Sequence, residues 1–352
     1  MAMSTFLPSK DLAFPQGSLI LVTGASGMIA ANIVDEALKA GFRVRGTVRS
    51  VEKGRSVAEL FNAAGFEFFV VEDLAAENAF HEAIKGVSGV IHTASIHTFS
   101  DNLSDVSGPL VRGCENILEA ALENPTVKKV VFTSSTGTAA NPQPGIKFHI
   151  GRDTWNTVAI DLVKNTPLEK RGEMGFEWKM NVYRVAKVEA EKAVWNFVEQ
   201  RKPTFGVNVV NPGLNFGKAK GSIGISGSQV LNLLHGNMPQ IPSLYMVDVA
   251  DDARIHIAAT IDSTVSSERI FACDEPFNWR LVVEAIQMAL PDVALPPPDP
   301  NELLDISTVD NKLGAELLMK WWRQPGYKGL DQTIRETVEM CLDKMDGKYK
   351  RG

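Results

Sequence analysis

The first 212 residues alternate between short runs of branched apolar residues and longer segments in which apolar residues recur every three to four positions. Such runs are typical of buried strands, and the longer segments are typical of amphipathic helices. The predicted strands cover residues 18–23, 42–49, 66–74, 87–95, 127–135 and 205–210, and the predicted helices between them include 110–123 and 183–200. Because alternating strands and helices form crossover units, the pattern predicts a doubly wound α/β fold with a parallel sheet.

The pattern changes after residue 212. Glycine and serine are dense over 213–227, and the later helices and short strands no longer alternate regularly. A proline-rich segment, 291–300, predicts an extended surface connection. We therefore predict a nucleotide-binding domain over 17–212, completed by part of 246–273, and a smaller C-terminal α/β substrate lobe over 213–245 and 274–344.

The amino-acid composition excludes several classes of protein but does not by itself predict a function. The 352 residues are 44% hydrophobic and 22% charged, which is ordinary for globular proteins and excludes collagen or a disulfide miniprotein. Thirty-six Lys and Arg against 42 Asp and Glu give a formal net charge of -6. Because phosphate polymers and anionic lipid repel such a surface, we expect neither nucleic acid nor membrane as a partner.

The cysteines and the N-terminus predict a cytoplasmic protein. Cys114, Cys273 and Cys341 are far apart, with no spacing that could hold zinc or iron, so we expect buried reduced thiols and no metal. The N-terminus lacks a basic segment followed by an apolar one, as a secretion signal would have.

A glycine-rich turn follows the first predicted strand. Residues 23–30 read TGASGMIA and fit T-G-x-x-G-x-x-[GA]. Gly24 permits the tight turn, Gly27 lets the backbone approach a pyrophosphate, and Ala30 allows close packing of helix on strand. The strand before it and the helix after it make this a Rossmann dinucleotide-binding turn.

The end of the second strand favours NADPH over NADH. Folds that use NAD place an acidic residue there to hold the ribose hydroxyls. This chain has Arg49 instead, with Arg45, Lys53 and Arg55 close by. A guanidinium can pair with a 2′-phosphate, and we expect Arg49 to do so with support from Lys53 or Arg45.

A tyrosine and a lysine four residues apart, Tyr183 and Lys187, begin a predicted helix and share one of its faces. Ser134 and Ser135 end the fifth strand, at the edge where α/β sheets bind ligands. Carbonyl reduction needs a proton donor, and free tyrosine, with a pKa of about 10, exchanges protons poorly at neutral pH. A nearby ammonium stabilises phenolate, and a serine hydroxyl stabilises charge on the carbonyl oxygen.

These motifs resemble those of the extended short-chain dehydrogenases/reductases, and more narrowly the fungal NADPH-dependent aldehyde/ketone (carbonyl) reductases and the dihydroflavonol 4-reductases. TGASGMIA, VRGTVRS, VEDL, HTAS, VVFTSST, YRVAK, NPG and YMVDVADDARIH occur in the family's order and at its spacings. The resemblance implies NADPH-dependent reduction of an aldehyde or ketone to an alcohol. It implies that Ser135 is the catalytic serine, Tyr183 the acid/base and Lys187 its partner.

The resemblance also implies that Asp73 and Leu74 lie by the adenine, Ala94 and Ser95 by a ribose, and 212–215 by the nicotinamide. Together with the glycine turn and the strand ends, the predicted cofactor-binding residues are Gly24, Ser26, Gly27, Met28, Ile29, Arg49, Lys53, Asp73, Leu74, Ala94, Ser95, Thr133, Tyr183, Lys187, Pro212, Gly213, Leu214 and Asn215.

Other functions fit the residues less well. Sugar epimerases and 4,6-dehydratases of the extended group carry an acidic residue where this chain has Arg49, and the dehydratases need a carboxylate where it has Thr136. A non-catalytic dinucleotide sensor typically lacks the tyrosine. A reductase of flavonoid-like or other secondary metabolites stays open beside a general carbonyl reductase.

The substrate itself is left open. His97, Phe99 and Tyr245 are candidate substrate contacts, and His92 is interpreted as a hydrogen-bonded core residue. The loops expected to shape the pocket carry no charged residue that indicates an anionic substrate. The expected assembly is a monomer or homodimer acting on a small carbonyl compound.

Overall fold

The computed structural model describes residue 6 and residues 10–95 and 100–345. Twelve strands occur in this part of the chain: β1 Leu19–Thr23, β2 Arg43–Val48, β3 Phe66–Val70, β4 Gly89–His92, β5 Lys129–Thr133, β6 His149–Ile150, β7 Gly206–Pro212, β8 Leu214–Phe216, β9 Leu244–Asp248, β10 Arg269–Ala272, β11 Pro276–Phe277 and β12 Thr308–Val309. Seven of them form a parallel sheet in the order β10-β7-β5-β4-β1-β2-β3.

Eleven α-helices are described: α1 Met28–Lys39, α2 Val51–Phe61, α3 Leu103–Leu122, α4 Thr157–Asn165, α5 Leu168–Arg171, α6 Gly175–Arg201, α7 Gly224–Leu234, α8 Val249–Ile261, α9 Trp279–Ala289, α10 Lys312–Trp322 and α11 Leu330–Lys344. Single 3-10 turns lie at Thr136–Thr138 and Gly172–Met174.

The large sheet has an apolar core on each face. One core packs α1 and α8 against the sheet, and the other packs α3 and α6 against it. The inner strands are short and buried on both sides, as parallel strands covered by helices must be, whereas the edge strand β3 is only partly buried. The predicted doubly wound α/β class is therefore confirmed, and all six predicted strands of the first 212 residues are present. Five are shorter than predicted, and the sixth, β7, ends two residues later than predicted.

The seventh strand of the large sheet, β10, comes from the range 246–273. It pairs in parallel with β7, so the chain returns to the sheet after residue 212. A smaller sheet, β11-β9-β8, and the helices α7, α9 and α11 enclose a separate apolar core. This second body is the observed C-terminal α/β lobe.

Two of the predicted helices are longer than expected. α3 begins at Leu103 and α6 at Gly175, whereas the sequence predicted 110–123 and 183–200. Pro109 lies inside α3, six residues after its first residue, and Asn102 caps the helix by accepting a hydrogen bond from the Ser104 amide. Proline is more typical of the first turn of a helix, which explains the late predicted start.

None of the described helices is long and apolar enough to cross a membrane.

Candidate active site

A large cavity of about 1020 Å³ opens at the carboxyl edge of the parallel sheet. This volume is at the upper end of the range for ligand pockets, about 300–1,000 Å³. All of the predicted catalytic and cofactor residues line it, from Gly24 in the first turn to Asn215 after β7. Tyr245 lines it too, whereas His97 and Phe99 lie outside the described residues.

The glycine turn brings backbone amides to the cavity. Gly24 has φ +70°, and a Cβ there would lie 3.1 Å from the Ala94 Cα, so a side chain would be both strained and crowded. Gly27 then caps α1, whose first turn carries no acidic side chain. The amides at this helix start are suited to an anion.

The cations after β2 differ in their surroundings. Arg49 and Lys53 line the cavity and are exposed. Within the described part of the chain, neither makes an ion pair, and the Arg49 guanidinium makes only a long 3.5 Å contact to the Ser95 carbonyl. Arg45 does not line the cavity; it pairs with Glu67 at 2.7 Å and donates to two backbone carbonyls. Its expected support of Arg49 is thus not seen.

Two polar atoms in the cavity wall have no partner among the described residues. The Ser95 hydroxyl and the Asn215 side-chain oxygen are buried, line the cavity and make no hydrogen bond. Buried polar groups are normally paired, so each is suited to a ligand that supplies the missing partner. Together with the cradle at Gly24, these residues fit a dinucleotide.

Ser134 and Ser135 are adjacent but differ in environment. The Ser134 hydroxyl is buried and donates to the Glu191 carboxylate at 2.5 Å. The Ser135 oxygen accepts a hydrogen bond from the Gly137 amide at 3.1 Å, which caps the 3-10 turn, and it lies in the cavity wall. A capping oxygen keeps its own hydrogen free to donate, so Ser135 is the serine able to contact a substrate.

Tyr183 and Lys187 both lie on α6 and line the cavity. The Lys187 ammonium is buried and donates to the backbone carbonyl of Thr133, the last residue of β5, at 2.7 Å. It forms no ion pair with any carboxylate that the structure describes. An unpaired ammonium next to a phenol stabilises negative charge on the phenol oxygen.

His92 ends β4 inside the protein, as the sequence predicted. The Thr23 hydroxyl accepts hydrogen bonds from the amides of Thr93 and Ala94, so its hydrogen is available to the His92 Nδ1 atom at 3.1 Å. Burial, and to a smaller extent the charge of Lys187, together lower the pKa of His92 to about 3. His92 is therefore a neutral core residue that positions the strand end.

Much of the cavity wall is apolar, although the Asp305 carboxylate also lines it. Burial raises the pKa of Tyr245, and the Asp305 carboxylate helps to raise it. Tyr245 contributes its ring, and its hydroxyl is held by the Ser307 carbonyl at 2.6 Å. A Cβ on Gly213 would lie 2.6 Å from the Tyr245 carbonyl oxygen, so this glycine allows β9 to approach the end of β7. The other apolar residues that line the cavity include Phe148, Ile150, Phe176, Met180, Ile241, Pro242 and Leu244.

Sequence reasoning missed two charged residues on α6. Glu191 is one turn beyond Lys187 and accepts hydrogen bonds from Ser134, Thr138 and Asn211, while Arg269 pairs with it at 2.5 Å. Glu191 lies four residues after Lys187, and this spacing could have predicted that both share one face of the helix. Arg184 lies in the YRVAK motif and lines the cavity, but the motif did not predict a role for it.

No group of His, Cys, Asp and Glu side chains that could hold a metal ion occurs in the described ranges. The three cysteines are free and buried, in agreement with the sequence.

Comparison with known proteins places this geometry in a family. Residues 20–237 match the NAD dependent epimerase/dehydratase family. The chain is similar to aldehyde reductase 2 of Sporidiobolus salmonicolor, with 32% identity over 93% of this chain and 97% of the relative. It is also similar to the ketoreductase adrE of Penicillium rubens, with 37% identity over 91% and 95%.

The fold resembles that of the yeast methylglyoxal/isovaleraldehyde reductase Gre2 complexed with NADPH. The TM-score is 0.78 at 27% identity, covering 94% of this chain and 99% of the yeast protein. The chain therefore belongs to the NAD dependent epimerase/dehydratase family, within the extended short-chain dehydrogenases/reductases.

Proposed function

We propose that the protein is an NADPH-dependent carbonyl reductase that converts an aldehyde or ketone to an alcohol. The observation that carries the proposal is that Ser135, Tyr183 and Lys187 line the same cavity as the glycine turn. The activities in the names of the fungal relatives and the NADPH complex of Gre2 support the same reaction.

NADPH, when bound, supplies the hydride that reduces the carbonyl carbon. Gly24, Gly27 and the start of α1 would hold its pyrophosphate, and Arg49 with Lys53 its 2′-phosphate. Ser95 and Asn215, whose polar atoms lack partners in the described structure, would complete the binding of its sugar and nicotinamide.

The protein's own residues manage the proton and the charge. The Ser135 hydroxyl donates a hydrogen bond to the carbonyl oxygen and stabilises the negative charge that develops there. Tyr183 transfers its proton to that oxygen, which completes the alcohol. Lys187, fixed by the Thr133 carbonyl, stabilises the phenolate that Tyr183 leaves behind.

The substitution Tyr183→Phe tests the assignment of the acid. We expect kcat for reduction of a reactive aldehyde such as 4-nitrobenzaldehyde to fall at least about a hundredfold, the usual contribution of a general acid. NADPH oxidation followed by absorbance measures the rate, and NADPH binding should be retained.

Tyr245→Phe is the matched control, because it also removes a tyrosine hydroxyl from a residue that lines the cavity. The Tyr245 hydroxyl already donates to Ser307, so we expect kcat to stay within a few fold of wild type. Unchanged turnover in Tyr183→Phe, or an equal loss in both variants, would show that Tyr183 is not the proton donor.

A further inference from the structure

Arg184 places a buried cation in the wall of the cavity beside the catalytic residues. It follows Tyr183 on α6, and its side chain is 8% exposed. A Cβ on Gly137 would lie 3.2 Å from Arg184 Cγ and 3.4 Å from Ser135 Oγ, so these two atoms lie within about 7 Å of each other. The guanidinium thus extends from a point close to the catalytic serine.

No carboxylate forms an ion pair with this guanidinium within the ranges that the structure describes, although the charge of Glu177 acts on it from a longer distance. Its one hydrogen bond, 3.3 Å from Nη1, goes to the side-chain oxygen of Asn181. That oxygen also accepts from Asn141, which in turn accepts from Asn156. This chain of neutral amides orients Arg184 without pairing its charge. Burial lowers the pKa of Arg184, and the charge of Glu177 offsets only part of that effect.

A buried unpaired charge is costly, and arginine keeps its proton in proteins. The cost falls when a ligand brings an anion that the planar guanidinium can bind through two hydrogen bonds. The phosphates of a dinucleotide are expected at the glycine turn and Arg49. Arg184 instead packs against Gly137, two residues after Ser135, at the substrate end.

The α6 face that carries Arg184 also carries apolar side chains that could contact the rest of the ligand. Phe176, Met180 and Arg184 are spaced by four residues along α6, and all three line the cavity. Side chains at this spacing form one stripe, apolar at one end and cationic beside the site of reduction.

We propose that Arg184 is a substrate-binding residue that selects apolar oxo acids, in which a carboxylate lies one or two atoms from the carbonyl that is reduced. This proposal rests on the proposed carbonyl reductase function and specifies its substrate class. Arg184 binds the carboxylate, the Phe176 and Met180 stripe contacts the apolar remainder, and Ser135 and Tyr183 contact the carbonyl oxygen.

Benzoylformate and its methyl ester test the proposal, because they differ chiefly in the negative charge. We expect Arg184→Met to lower the ratio of kcat/KM for the acid to that for the ester at least tenfold. Charge-assisted hydrogen bonds of about 1.5–3 kcal/mol correspond to losses of this size or larger. Arg184→Lys, which keeps a point charge without the planar fork, should recover part of the ratio.

Arg201→Met is the matched control, since it removes an arginine from the same helix about 25 Å away. Arg201 is at the surface and pairs with Glu119, so the ratio should equal that of wild type. Binding supplies a second readout: with NADP present, mandelate should raise the melting temperature of wild type more than that of Arg184→Met.

An equal loss for acid and ester in Arg184→Met, with no difference in mandelate stabilisation, would overturn the proposal and indicate a structural role. If Arg184→Met does not fold, Arg184→Lys is used instead. The proposal is then overturned if Arg184→Lys has the wild-type ratio of kcat/KM for acid to ester and mandelate does not stabilise the wild-type protein. The proposed reductase function is tested independently of Arg184. It would be contradicted if the wild-type protein did not oxidise NADPH in the presence of 4-nitrobenzaldehyde.

Discussion

Two arginines near the end of β2, Arg45 and Arg49, carry the same charge in different surroundings. Arg45 is held by Glu67 and by the carbonyls of Ala83 and Lys85, while Arg49 faces the cavity. The sequence could identify a cationic strand end, but it could not show which of the two arginines lacks an ion pair among the described residues. That distinction depends on Glu67, which β3 places opposite Arg45 in the sheet register.

Arg49→Gln should therefore weaken NADPH binding about 10- to 100-fold and change NADH binding little, because only NADPH has the 2′-phosphate. Fluorescence titration of each nucleotide gives the two values of Kd. Arg45→Gln is the control and should change both only slightly. Equal weakening of NADPH and NADH by Arg49→Gln would contradict a 2′-phosphate contact.

His92 predicts how stability responds to acid. Its pKa is about 3 in the folded protein against 6.5 as an ordinary value, so below pH 6.5 the unfolded chain binds a proton that the folded chain does not. Stability from this residue is present above pH 6.5 and is lost as the pH falls towards 3. His92→Asn keeps an acceptor for Thr23 and cannot take up the proton.

We expect the free energy of unfolding of His92→Asn to fall less between pH 7 and pH 4 than that of wild type. Urea unfolding at several pH values measures it. His235→Asn, on the exposed residue that ends α7, should follow the wild-type dependence. A His92→Asn profile parallel to that of wild type would show that another group controls the acid response.

At the scale of elements, α6 aligns three functional positions. Tyr183, Lys187 and Glu191 are four residues apart and so share a face. The first two reach the cavity, and Glu191 lies beneath it, where it binds Ser134, Thr138 and Arg269. One helix therefore holds both the proposed acid, Tyr183, and the turn that carries Ser135, the serine proposed to contact the carbonyl.

Glu191→Gln should reduce the free energy of unfolding by about 3–5 kcal/mol, because it leaves Arg269 buried without a charge partner. Urea unfolding measures the loss. Glu284→Gln breaks an exposed pair with Arg280 and should cost less than about 1 kcal/mol. In the double variant Glu191→Gln/Arg269→Met, the loss should be smaller than the two single losses added. Strict additivity would mean that the two residues do not interact.

The start of α6 shows why element ends were harder to predict than element types. Trp178 and Val182 are buried in the core, whereas Phe176 and Met180 line the cavity. Apolar residues on two faces obscure the amphipathic period on which the prediction depended. A helix that borders a cavity has fewer polar positions than one that borders solvent.

At the scale of the molecule, the alternation of strands and helices was enough to predict the sheet, because each crossover imposes the next strand's direction. The residues predicted for catalysis and cofactor binding were expected to meet because strand ends converge at one edge, and they do line one cavity. The charge environments of Arg45 and Glu191 could not be predicted, because their partners Glu67 and Arg269 are distant in sequence.

The buried contact between Arg269 and Thr138 joins positions 131 residues apart along the chain. All of the cofactor and catalytic motifs precede Arg269, so they leave the ribosome before it does. Synthesis proceeds at about 5–20 residues per second, and the serine turn must wait for β10 before its supporting ion pair can form. A nascent chain can thus contain every motif of the site several seconds before it can complete that site.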